Sequence, residues 1–258
     1  MRYGSVLFVL LFSAQISWAE VVEDNMEYQQ GQTVLEGYIV YDDALVQDNA
    51  RAVLVVHDWM GFSEYQRTRA RQLAELGYVA MAVDIYGKGV RPQNTQEAWE
   101  VSSLYKKNRQ LMRDRISAAL ETLREHPMVN PAMIGAMGYC FGGTVALELA
   151  RGGEDVSGIV TFHGGLDASD TVKTENIKAK VLVLHGADDP LVPPQQVAAF
   201  QDEMREAGAD WQMVFYGDAV HSFTQPDAGS DKSRGVAYNE KADERSWVAM
   251  KNFFQEVL

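Results

Sequence analysis

Only one cysteine, Cys140, occurs in 258 residues, so no disulfide can form within the chain. Basic residues are in the minority: 23 Lys and Arg stand against 36 Asp and Glu, a formal net charge of −13. With no basic run to offset that charge, nucleic acid is excluded as a partner. The five histidines are scattered singly, without the paired ligand spacing a metal site needs, so no metal is expected. No internal repeat, low-complexity tract or linker interrupts the chain after residue 30. What is present is ordinary for a folded enzyme-sized unit: 47% apolar and 23% charged residues, enough length to bury one sizeable core.

The first stretch, "MRYGSVLFVLLFSAQISWAE", differs from the rest. One basic residue, Arg2, precedes an apolar segment from Val6 to Phe12 that is too short to span a bilayer. Ser17-Trp18-Ala19 then offers small residues at both positions a signal peptidase reads. Residues 1–19 are therefore expected to be a cleaved secretory signal, and residues 20–258 a single domain. The mature chain is expected to be periplasmic or secreted, free of the membrane after cleavage, and monomeric. Export leads to an oxidising compartment, where cysteines usually pair. A lone thiol there is a core filler, an intermolecular link or a reactive group.

Further along, short β-branched runs alternate with helical patterns. "TVLEGYIVYDD" reads as an alternating strand, with a possible edge strand near Glu27–Gln30 before it. "RAVLVVHDW", "YVAMAVDIYG", "AMIGAMGY", "VSGIVTFHG", "AKVLVLHG" and "WQMVFYG" read as strands, the first of them typical of burial on both faces. Helices are predicted from Ser63 to Gly77, over a long region 95–125 that is either continuous or interrupted, over "GTVALELA", from Pro194 to Gly208 and from about Asn239 onward. Such alternation predicts an α/β fold, a mainly parallel central sheet with helices on both faces. Functional residues should then follow the strands' C-terminal ends.

The thiol sits where that rule places function. "Gly138-Tyr139-Cys140-Phe141-Gly142" follows a strand and opens a helix, which is a G-x-nucleophile-x-G elbow with cysteine at its tip. The glycines let strand and helix approach closely, and the helix N-terminus favours thiolate over thiol. A nucleophilic cysteine needs a base, and the base needs a carboxylate. His57, His163 and His185 all end strands, so position alone does not remove them. His221, in "GDAVHSF" after the last strand, stands where the base belongs in the chain order nucleophile, acid, histidine. Asp188 and Asp189 follow the preceding strand, where the acid belongs; one would hold the imidazole, and the other cap the turn or face water. Phe141 follows the nucleophile and Trp59 follows a strand's end, so both backbone N–H groups qualify for an oxyanion hole.

From about residue 34 onward the chain resembles the dienelactone hydrolase family of α/β-hydrolases. The matching pieces are "HDWMGF", "GYVAMAVDIYG", "GYCFGG", "HGADDPLVP" and "AVHSF", in the family's order. The resemblance implies an α/β-hydrolase fold, a triad of Cys140, Asp189 and His221, and an oxyanion hole from Trp59 and Phe141. It implies hydrolysis of a small-molecule ester or lactone through an acyl-thioenzyme, with no cofactor. Two departures follow. Where the family's best-known form has a glutamate that holds the resting thiol, this chain has the shorter Asp58, which is either a thiol-holding carboxylate or a loop cap. Where that form has an arginine soon after "HSF", this chain has Thr224 and Gln225, and the next arginine is Arg234; dicarboxylate chemistry is thereby in doubt. Trp59, Phe62, Tyr86, Phe141 and Phe223 are candidates for lining an acyl pocket. A peptidase-like hydrolase and a non-catalytic, redox-sensing or binding protein are the alternatives.

Overall fold

Valine, alanine and leucine crowd into short runs, and each run becomes a strand of one sheet. The computed structural model describes residues 21–169 and 177–258. The expected signal, residues 1–19, lies outside the described residues, as does part of the loop after residue 166. Eight strands form the sheet: β1 (Val21–Gln30), β2 (Thr33–Asp42), β3 (Ala50–Val56), β4 (Val79–Val83), β5 (Val129–Tyr139), β6 (Gly158–Phe162), β7 (Lys180–Gly186) and β8 (Trp211–Tyr216). Their order is β1-β2-β4-β3-β5-β6-β7-β8. From β4 to β8 the pairing is parallel, and β2 runs antiparallel to both β1 and β4.

Among the described residues six α-helices cover the two faces: α1 (Glu64–Ala74), α2 (Thr95–Lys107), α3 (Arg109–Arg124), α4 (Phe141–Arg151), α5 (Pro194–Glu206) and α6 (Glu240–Val257). Strand periodicity divides the core between them. Ala52, Leu54 and Val56 of β3 join Met112, Ile116, Val145 and Phe200, from α3, α4 and α5, on one face. Val53 and Val55 join Leu73, Met250 and Phe254, from α1 and α6, on the other. This is the α/β architecture expected, with a mainly parallel sheet between two helical layers.

Three expectations are refined. The long helical region is two helices, because the Asn108 side chain accepts a hydrogen bond from Leu111 N–H at 3.1 Å and restarts the chain as an N-cap. The edge strand β1 begins at Val21 rather than near Glu27, and β5 begins at Val129, three residues before its apolar run. At the far end of α4, Arg151 is 2% exposed. It donates to both carboxylate oxygens of Glu203 (2.8 and 2.7 Å), to Glu148 (3.0 Å), and to the carbonyls of Leu166 (2.9 Å) and Asp167 (3.0 Å). That cation fixes the loop after β6, which forms one wall of the site described next.

Candidate active site

Cys140 joins β5 to α4 with φ +54°, a left-handed conformation that a side chain adopts only when its surroundings impose it. The surroundings do so by close contact. A Cβ at Gly138 would meet the Gly142 carbonyl oxygen at 2.0 Å, and one at Gly142 would meet the carbonyl oxygens of His57 at 2.4 Å and Val56 at 2.5 Å. Only glycine permits β5, α4 and the end of β3 to converge so tightly, and the convergence lifts residue 140 out of the sheet. Its side chain is half-buried at the helix start.

Across from it lies His221, in the loop after β8. Its Nε2 is 3.1 Å from Cys140 Sγ, and its Nδ1 is 2.8 Å from Asp189 Oδ2. Asp189 Oδ1 accepts from Leu191 N–H at 2.8 Å, so both oxygens are engaged. Its neighbour Asp188 is exposed and bonds through its backbone N–H to Ala219 O at 3.0 Å. The three side chains that the sequence singles out thus come together, and of the two aspartates it is Asp189 that meets the histidine. Burial works against a charged His221 imidazole. The Cys140 sulfur and then the Asp189 bond outweigh it, raising the imidazole from 6.5 to about 10.

Trp59 and Phe141 line the same cavity as the sulfur, a space of about 370 Å³. Among the described residues no acceptor takes either backbone N–H. The turn that carries Trp59 is held from several sides. His57 Nε2 accepts from Ile85 N–H at 3.1 Å, so its Nδ1 carries the proton and donates to Asp58 O at 2.6 Å. Tyr86 donates its hydroxyl to Trp59 O at 3.0 Å. Asp58 does not sit on the thiol. Its Oδ1 accepts from Met60 N–H at 2.7 Å and its Oδ2 from Gln225 Nε2 at 2.5 Å, and burial raises its carboxyl above the usual range.

Of the five aromatic candidates, Trp59 and Phe141 face the cavity. Phe62 and Phe223 are packed in the core of the α1–α6 face. Tyr86 is buried against Phe141, its ring centroid 5.2 Å away. The outer cavity wall comes instead from Trp99 and Leu191, 59% and 57% exposed, with Val192 and Lys106. Nothing in their local sequence marks them, since α2 and the loop before α5 reach the site only through the fold. His163 is a second residue whose place sequence position left open. It is fully buried 5.3 Å (ring centroids) from His221, with Nε2 2.8 Å from Thr224 Oγ1. Burial pushes its imidazole well below 6.5, so it stays neutral beside the candidate base. Among the described residues no group of His, Cys, Asp and Glu is arranged to hold a metal ion, and no helix is long and apolar enough to cross a membrane.

The sequence model of the dienelactone hydrolase family matches residues 35–258. A dienelactone hydrolase-like promiscuous phosphotriesterase from metagenomic libraries is 38% identical, with a TM-score of 0.88 over 93% of this chain and 99% of that one. An Aquifex aeolicus relative named "Putative carboxymethylenebutenolidase" is 27% identical over 238 residues, 90% of this chain and 98% of its own. The Pyrococcus horikoshii acylaminoacyl peptidase is 15% identical with a TM-score of 0.69 over 92% of this chain; it shares the fold, and this chain spans 42% of its length.

Proposed function

This chain belongs to the dienelactone hydrolase family, and from that premise we propose that it is a cysteine-dependent hydrolase of carboxylic esters or lactones. The observation that carries the proposal is the contact of His221 with Cys140 at 3.1 Å, continued to Asp189 at 2.8 Å. His221, whose protonated form is favoured beside the sulfur and Asp189, takes the Cys140 proton and leaves the sulfur as the nucleophile. The sulfur attacks the carbonyl carbon, and the carbonyl electron pair moves to oxygen, where the N–H groups of Trp59 and Phe141 receive the charge. As the tetrahedral centre collapses, the carbon–oxygen bond to the alcohol breaks and His221 Nε2 gives that oxygen its proton. An acyl-thioenzyme remains. His221 then takes a proton from water, the hydroxide adds to the thioester, and the carbon–sulfur bond breaks to release the acid and restore the thiolate. Asp189 keeps Nδ1 protonated, so that Nε2 does the transferring.

The test is turnover of short p-nitrophenyl esters by the purified protein, beside Cys140→Ala and His221→Ala. Each substitution should cost on the order of 10⁴–10⁶-fold, because such residues act as a unit. Turnover that survives both would sink the proposal, and rapid alkylation without any hydrolysis would favour a redox-sensing thiol. The names of the relatives add a butenolide lactone and a phosphotriester to the substrate panel. We further propose that the working unit is a single domain, residues 20–258, outside the cytoplasm. This rests on the segment 1–19, and N-terminal sequencing of exported protein should begin at Glu20.

A further inference from the structure

Behind the His221 imidazole lies a buried polar cluster that the proposed reaction does not use. His163 follows β6 with φ +41°, a conformation that persists only where the surroundings impose it. It is fully buried, and its backbone N–H donates to Leu184 O at 2.9 Å. Its ring packs edge-on to those of His221 and Phe223, with centroids 5.3 and 5.0 Å away. One ring nitrogen, Nε2, is 2.8 Å from Thr224 Oγ1. The other, Nδ1, meets no partner among the described residues. A phenyl ring would be buried at less cost than an imidazole with one nitrogen left dry, so the Nε2 contact is what a histidine supplies here.

Thr224, also fully buried, is the third residue after His221. Tyr65 of α1 directs its hydroxyl at both Thr224 oxygens, 2.9 Å from Oγ1 and 3.0 Å from the carbonyl. Arg69, also on α1, donates through Nη2 to that carbonyl at 3.2 Å and to Asp243 Oδ1 of α6 at 2.7 Å. Its Nε donates to the Tyr65 hydroxyl at 3.2 Å. The loop that carries His221 is therefore clamped from three sides: by α1, by α6 through Arg69, and by the end of β6 through His163. His163 also packs its ring against the imidazole itself. No charge on His163 disturbs that packing. Burial opposes one, as do His221, Arg69 and His185 when charged. Tyr139, whose ring centroid lies 6.1 Å away, keeps its proton because burial raises it.

We propose that His163 and Thr224 are positioning residues for the base: their contact holds the loop so that His221 keeps one nitrogen on Asp189 and the other on Cys140. The proposal rests on the hydrolase reading above. The test compares Thr224→Val, which keeps the shape of the side chain and loses its oxygen, with Thr224→Ser, which keeps the oxygen. For p-nitrophenyl butyrate, Thr224→Val should lower kcat about tenfold and leave KM within about twofold, since a misplaced base slows chemistry rather than binding. Thr224→Ser should stay within about twofold of the unaltered protein in both. Histidine NMR adds a reading that lost stability alone would not move. The sulfur and Asp189 are what raise the His221 imidazole, so its midpoint should fall by about one pH unit in Thr224→Val and hold in Thr224→Ser. An unchanged kcat in Thr224→Val, an equal loss in Thr224→Ser, or a midpoint that does not move overturns the proposal. If Thr224→Val does not fold, His163→Phe, which keeps a ring and loses the nitrogen, is read in its place with the same expectations. If the unaltered protein turns over no ester, the hydrolase reading has failed, and the NMR midpoints decide the positioning role separately. A fall in Thr224→Val that is absent from Thr224→Ser then supports it, and equal midpoints overturn it.

Discussion

Gln225 donates a 2.5 Å hydrogen bond to Asp58 across 167 residues of sequence. The other Asp58 oxygen accepts from Met60 N–H, so one side chain ties the turn bearing Trp59 to the loop bearing His221. Two parts of the proposed machinery, the amide that receives negative charge and the imidazole that moves protons, are thereby kept in register.

Breaking this tie should impair ester turnover without altering the thiol. Gln225→Ala and Asp58→Asn are expected to lower kcat/KM by about tenfold, the loss of roughly 1.4 kcal/mol of transition-state stabilisation. The rate at which iodoacetamide alkylates Cys140 should change by less than about twofold, since the sulfur's partner is His221. A large change in alkylation with Asp58→Asn would instead return Asp58 to the role of holding the resting thiol.

The His221 imidazole, raised to about 10, should stay protonated through neutral pH and lose its proton only as pH climbs through that value. Hydrolysis should decline over the same alkaline range, because the leaving alcohol then lacks its proton donor. In Cys140→Ala the sulfur charge is gone while burial still opposes the imidazolium, so the midpoint should fall. Histidine NMR of labelled protein reads both midpoints; equal values would dissolve the proposed ion pair.

Gly142→Ala should be among the most damaging single-methyl additions in the chain. Its new carbon would stand 2.4 Å from His57 O and 2.5 Å from Val56 O, both backbone atoms that cannot swing aside. Overpacking of this sort costs about 1–3 kcal/mol. At about 2–4 °C of Tm per kcal/mol for a chain of this size, thermal unfolding should register it plainly. An unshifted Tm would mean that the elbow relaxes more easily than its contacts indicate.

Arg151→Met should destabilise by about 3–5 kcal/mol, because Glu203 then keeps a buried charge without its partner. Glu148 retains Arg113 at 2.9 Å, so most of the loss belongs to Glu203. Adding Glu203→Met should restore much of the denaturant midpoint. If the double variant is no better than the single one, the backbone carbonyls of Leu166 and Asp167 were the more important acceptors.

The elbow was legible because its requirements are local: two glycines, a strand before, a helix after. Strands such as Val79–Val83, buried at every position, announce themselves by composition alone. The choice between Asp188 and Asp189 was not local. The family resemblance already pointed to Asp189, and the fold supplies the reason: Asp188 is exposed, while Asp189 is bonded to an imidazole 32 residues away. Gln225 was invisible for a related reason. A polar residue in a loop looks solvated until its distant acceptor is known. Aromatic residues near strand ends misled in the opposite direction, since Phe62, Tyr86 and Phe223 carry no mark that separates a core ring from a cavity wall. Asn108 was a signal available but unused, a good N-cap residue that places the break in a helical region whose continuity the sequence left open.

The sharp bend at residue 140 is imposed entirely by its neighbours: two bare α-carbons, a helix start and the end of an adjoining strand. The bend therefore does not depend on which atom it displays. Serine or selenocysteine in place of Cys140 should therefore leave the scaffold unmoved, so that the proposed nucleophile is varied by one element alone.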